Sequence, residues 1–170
     1  MLPTHLRYPL LAISTDSRRV GVACVDHELE LVATKVHDAR RISLNSSERV
    51  AFIKRCLRRD LVKFRARTIV VEESARAGPG RRVVIDAAVD AARHHELWVV
   101  TTDIVEAVGS LARPSLRSAV EKLARRYARC RHPCPAHVVA NDRPLLTAIV
   151  LAHAVGLASL SAEATQIDTK

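Results

Sequence analysis

The chain has 170 residues, 48% of them hydrophobic, which suits one domain with a buried core and argues against a disordered polymer. A formal net charge of +9 and a pI of about 10.1 favour a polyanionic partner, either nucleic acid or a phosphate-bearing membrane surface. Aromatic residues are only 3% of the chain, which argues against a base-stacking platform. Most of the cations are arginines; the only lysines are Lys35, Lys54, Lys63, Lys122 and Lys170. Arginine suits bidentate phosphate contacts, although such a bias also arises from genomic composition.

The opening "MLPTHLRYPLLAIS" is too interrupted for a signal peptide. A cytoplasmic protein with reduced cysteines is expected. Residues 10–37 read as a three-strand meander, "LLAIS", "VGVACVD" and "LELVATKVH", separated by short polar turns. Helical spacing follows. Asn45 and Glu48 form a capping box, and Val50, Ile53, Leu57, Leu61 and Phe64 share one face. "TIVVE" at 68–72 is a continuous apolar run suited to a buried parallel strand. The loop around Gly78-Pro79-Gly80 leads to a small-residue helix at roughly 81–95 and a strand at 97–102. A helical region over 103–129 is interrupted near Pro114. A final helix begins near Pro144 and contains "LLTAIVLAHAVGLASL", which is short for a membrane span and reads as a buried core helix. The expected fold is α/β: a mixed five-stranded sheet, three antiparallel strands and then two βα units, with helices on both faces. Residues 1–170 are expected to form a single domain, with no membrane partner.

Acids stand where such a sheet could gather them. Glu72 and Glu73 end the "TIVVE" strand, Asp16 follows the first strand, and Asp142 precedes the last helix. Two-metal phosphodiester hydrolysis needs converging carboxylates, because hard cations take oxygen ligands and the two ions clamp the reacting phosphate. On spacing alone, turn and capping acids on a solvated surface are the better reading.

The hairpin "AISTDSRRVGVACVD" resembles that of the RuvC-type Holliday-junction resolvases and their YqgF relatives, within the ribonuclease H-like superfamily. That hairpin typically runs Ile-Asp-x-Gly-Ser/Thr-Arg/Lys-Arg-x-Gly. "IVVEES" is similar to the family's second acidic strand, and "NDRPLLTAIVLAHAVG" to its last helix, where Asp-x-x-Asp-Ala is common. The segment "DAAVDAARHHELWVVTTDIVEAVGSLARPSLRSAVEKLA" resembles the helix, strand and helix between them. The resemblance implies metal-dependent cleavage of branched DNA, with Glu72 and Asp142 as ligands for Mg²⁺ or Mn²⁺. It also places Ser14 at the first catalytic aspartate, Asp16 at a turn glycine, and Leu145 at the second acid of the last helix. The family's lysines near the penultimate helix have no counterpart here; Val105, Glu106 and Ser115 stand in that neighbourhood.

For Asp16 the turn reading is preferred. Aspartate tolerates left-handed turns, and a two-residue displacement moves an attachment point by roughly 6–7 Å along a strand, far beyond what ligation tolerates. Loss of the carboxylate at position 14 predicts weakened or absent cleavage. The alternatives are a non-catalytic protein retaining only the fold, and an active nuclease built on Asp16, Glu72 and Asp142.

Candidate nucleic-acid contacts are Arg18 and Arg19 in the hairpin turn, Arg76, Arg81 and Arg82 around the glycine loop, and Arg113, Arg117 and Lys122 near one helix. Arg125, Arg126 and Arg129 continue the last group. Cys130, His132, Cys134 and His137 are zinc-ligand types; their spacing matches no strong pattern, and a proline-rich loop is the preferred reading. Cys24 and Cys56 read as core. His94 and His95 close a helix. His153 reads as a satisfied core histidine, with a proton shuttle facing the acids as the weaker option. A homodimer is one option the sequence leaves open.

Overall fold

The computed structural model describes residues 6–16, 18–39, 46–73, 77–111, 113–129 and 143–167. Strands β1 (Leu10–Thr15), β2 (Arg19–Val25) and β3 (Leu31–Asp38) form the antiparallel meander. Helix α1 (Ser46–Lys63) leads to β4 (Thr68–Glu72), α2 (Pro79–His94) and β5 (Trp98–Thr102). Three more helices follow: α3 (Ile104–Gly109), α4 (Pro114–Arg129) and α5 (Arg143–Ile167). The strand order is β3-β2-β1-β4-β5, with β1–β4 and β4–β5 parallel. "LLAIS" therefore lies beside "TIVVE", as the burial of two continuous apolar runs requires. Asn45 of the expected capping box lies outside the described residues, as do Asp142, Arg76 and the Cys130–His137 quartet.

Every residue of β1 is buried because helices cover both of its faces. Leu11 and Ile13 join Val22, Cys24, Ile69 and Val71 against Ile53, Leu57 and Leu61 of α1 and Val84, Ile85 and Ala88 of α2. Leu10, Ala12, Val25 and Val70 face the other way, toward Ala107 of α3, Val120 of α4 and Leu151, Ala154 and Val155 of α5. Helix α5 is long and apolar enough to cross a membrane, but more than half of its apolar window is buried.

Two glycines let α5 lie close to the sheet. A Cβ on Gly21 would stand 2.3 Å from the Leu145 nitrogen and the Pro144 carbonyl carbon, so the start of α5 rests on the β2 backbone. A Cβ on Gly156 would stand 2.3 Å from Leu29 Cδ2, so the Leu29 side chain fills the gap that this glycine leaves. The same contact explains why a glycine interrupts an otherwise apolar helix.

Candidate nucleic-acid interface and acidic site

Strand β1 brings Ser14 to the carboxyl end of the sheet, and β4 brings Glu72 to the same end, one position beyond the Ile13–Val71 pairing. The sheet's alternation turns both toward α5, as it does Ala12 and Val70. The Ser14 hydroxyl donates to Glu72 Oε2. The same oxygen meets Arg81 Nη2 at 2.8 Å, from the first turn of α2. Around them is a cavity of about 400 Å³, lined also by Thr15, Asp16, Arg19, Arg143, Pro144 and Thr147. The start of α5 thus forms its far wall.

Asp16 faces this cavity, but its carboxylate is engaged by the hairpin. The backbone N–H groups of Arg18 and Arg19 donate to Oδ1 at 2.8 and 2.7 Å. Arg19 Nε donates to Oδ2 at 3.0 Å, and Arg19 Nη2 lies 2.9 Å from the same oxygen. Burial pushes the Asp16 carboxyl up, but those backbone donors and the Arg19 guanidinium outweigh it and hold the group below its ordinary value. One detail of the sequence reading is corrected. Asp16 does not adopt a left-handed conformation; the described non-glycine residues with positive φ are Leu29, Arg65 and Glu96. Asp16 closes the turn through its side chain, as Asx residues commonly do.

The remaining arginines divide by partner. Arg82 Nη1 donates to Glu73 at 2.7 Å on the exposed side of the loop. Arg117 donates from Nε to the Leu111 carbonyl and from Nη2 to the Gly109 carbonyl, at 3.1 and 3.0 Å, closing the end of α3. Arg18, Arg82, Arg113, Arg117 and Lys122 do not line the cavity. Arg143, which the sequence did not single out, does.

Glu106 serves the start of α3: its backbone N–H donates to Asp103 Oδ1 at 2.7 Å, and its carboxylate accepts from the Thr102 hydroxyl at 3.0 Å. His153 is not a shuttle for the acids. Its Nδ1 is 2.8 Å from the Ile149 carbonyl, it also bonds the Leu29 backbone, and burial pushes the imidazole down. Leu29 lies beyond the end of β2 remote from Gly21, the residue that pairs with Ser14. Cys24 and Cys56 are buried, and burial pushes the Cys24 thiol up to about 12.

A second polar cluster was not anticipated. Asp60, fully buried on α1, accepts from Lys35 Nζ and pairs with His37 Nε2, both on β3. Burial pushes the Asp60 carboxyl up, but the His37 and Lys35 hydrogen bonds outweigh it and hold the group below its ordinary value. The signal was present: Asp60 interrupts the apolar face between Leu57 and Phe64, and Lys35 and His37 sit two apart on one strand face.

The donors for a pair of Mg²⁺ or Mn²⁺ ions are deficient here. Among the described residues, no three His, Cys, Asp or Glu side chains come together. Of the two described acids at the cavity, one is held by the hairpin and the other by an arginine and a serine. Hard dications need several uncommitted oxygens. The described residues do not fit such a centre.

No family model and no curated protein sequence matches the chain. Solved structures do. The chain is similar to Thermus thermophilus RuvC in complex with a Holliday junction substrate, at 18% identity and a TM-score of 0.65, covering 92% of this chain and 94% of that one. A second Thermus thermophilus RuvC structure matches at 18% identity and a TM-score of 0.65, over 90% and 96% of the two chains. The yeast mitochondrial Holliday junction resolvase Ydc2 matches at 8% identity and a TM-score of 0.64, over 98% and 85%. The mixed β3-β2-β1-β4-β5 sheet with helices on both faces is therefore the ribonuclease H-like fold of the RuvC-type Holliday-junction resolvases.

Proposed function

We propose that the chain binds nucleic acid, with branched DNA as its preferred shape, and that it is a weakened or inactive counterpart of a metal-dependent endonuclease. The observation that carries this reading is the site at the carboxyl ends of β1 and β4. There Ser14, which the family resemblance sets at an acid's position, donates to Glu72, and Arg81 pairs with the same glutamate. The excess of arginine over acid among the described residues lining the cavity and the net charge of +9 support a polyanionic ligand. The neighbouring fold includes a structure described with a Holliday junction substrate, which supports a branched shape.

Labelled duplex, single-stranded and four-way-junction DNA, titrated over a salt series, test the binding. Affinity should be measurable at low salt, fall steeply as salt rises, and favour the junction. No binding at low salt would favour a protein that keeps the fold alone. Equal affinity for all shapes would remove the preference for branched DNA. The same substrates incubated with Mg²⁺ or Mn²⁺ should remain largely uncut. Robust cleavage, abolished by Asp16→Ala, would instead establish a rearranged Asp16, Glu72 and Asp142 centre.

A further inference from the structure

We infer that Arg81 is the resident cation of this pocket: its guanidinium stands where a divalent ion would be held, and it makes the pocket a phosphate receptor that needs no metal. The inference deepens the nucleic-acid-binding reading above and rests on it for the identity of the ligand.

The argument begins with where Arg81 is rooted. Pro79 lies at the start of α2, and the Arg81 N–H donates to the Gly78 carbonyl at 3.0 Å. The side chain therefore leaves an ordered helical turn. It reaches Glu72 Oε2, the oxygen that also accepts from Ser14. The arginine and glutamate side chains are only 23% and 12% exposed, so salt screens the pair weakly. A dication bound to that oxygen would have to displace the guanidinium or sit beside its positive charge. With serine at position 14, no second carboxylate is present on β1 to offset the repulsion.

The charge left around the cavity has the opposite use. Among the described residues that line the cavity, Asp16 is paired with Arg19 and Glu72 with Arg81, while the exposed Arg143 in the α5 wall adds a third cation to these two acids. Arg81 lines the cavity, and its side chain stays 23% exposed while it holds Glu72, so the guanidinium is not wholly enclosed by that contact. An arriving phosphate would meet Arg81 and Arg143 with the charge of Glu72 already neutralised.

Two measurements on the full chain test this. The first is Mn²⁺ titration followed by electron paramagnetic resonance, comparing Ser14→Asp with Ser14→Asp/Arg81→Gln. Removing the guanidinium charge while keeping a hydrogen-bonding side chain should raise Mn²⁺ affinity roughly tenfold or more. Equal Mn²⁺ affinity in the two variants would overturn the claim that Arg81 holds the cation's place. The second is four-way-junction binding by the unmodified chain and Arg81→Gln, each in EDTA and in Mg²⁺. The unmodified chain should bind equally in both, and Arg81→Gln should bind about tenfold more weakly in EDTA. Unchanged binding by Arg81→Gln, or binding by the unmodified chain only in Mg²⁺, would overturn the receptor role. No binding of any nucleic acid would reject the functional reading, while the Mn²⁺ comparison would still decide the place of Arg81. Arg81→Lys keeps the charge, so it should hold Mn²⁺ affinity low in the Ser14→Asp background if folding of the Gln variant is compromised. High Mn²⁺ affinity with lysine present would count against the proposal.

Discussion

Ser14 on β1 donates its hydroxyl to the Glu72 carboxylate on the adjacent parallel strand β4, so a neutral side chain bridges the two strands at the site. Ser14→Asp would set two carboxylates side by side at a nearly buried position. Like charges raise one of their pKa values. A carboxyl raised in the folded state weakens stability as pH climbs from its unfolded value toward its folded one. Ser14→Asp should therefore cost little at pH 4 and progressively more toward pH 7, whereas Ser14→Asn should show no such trend. Urea unfolding over that pH range checks it, and a pH-independent penalty would contradict the like-charge account.

Asp16 organises the first hairpin through two backbone N–H groups and Arg19. Its carboxyl is held below its ordinary value, so its contribution is fully present above that ordinary value and is lost as pH falls through the lowered one. Its side chain is 40% exposed, which discounts the ion pair with Arg19. Asp16→Ala should destabilise by about 1–2 kcal/mol near neutral pH, mainly through the backbone donors. Asp16→Asn, which keeps the Oδ1 acceptor, should recover most of this. Thermal melts of the two variants would separate them.

Gly21 is where the start of α5 touches β2. An added Cβ must push against the Pro144–Leu145 peptide, which is backbone and cannot rotate away. Gly21→Ala should cost about 1–3 kcal/mol and shift the Arg143 wall of the cavity. Denaturant unfolding measures the first effect, and amide chemical shifts at residues 143–147 report the second.

The Asp60 carboxylate is fully buried between Lys35 and His37. Removing it leaves a buried histidine and a largely buried lysine without their anion. Asp60→Ala should destabilise by about 3–5 kcal/mol, far more than a surface aspartate on the same helix. The Asp60 carboxyl is held below its ordinary value, so its contribution persists above that value and is lost as the solution is acidified through the lowered one. Urea titrations of the unmodified chain and Asp60→Ala at pH 7 and pH 3 should show their difference shrink in acid.

The order of elements was legible in the sequence because each one depends on local pattern. The β-rich meander, the 3.6-residue stripe from Val50 to Phe64 and the glycine-proline punctuation before α2 all have short-range causes. The continuous run in β1 did not show which residues face which helices: the division between Leu11 with Ile13 and Leu10 with Ala12 came from packing on both sides of the sheet. The acids followed the same rule. Asp16 was readable as a turn residue because its partners lie two and three positions away. Glu72 was ambiguous because its partners are a serine 58 positions earlier and an arginine in the next helix. Asp60 was missed because the cations that make its burial tolerable lie on another element. Periodicity encodes what a residue does within its own element. The partner that neutralises a charge is chosen only when the chain folds and brings distant elements together.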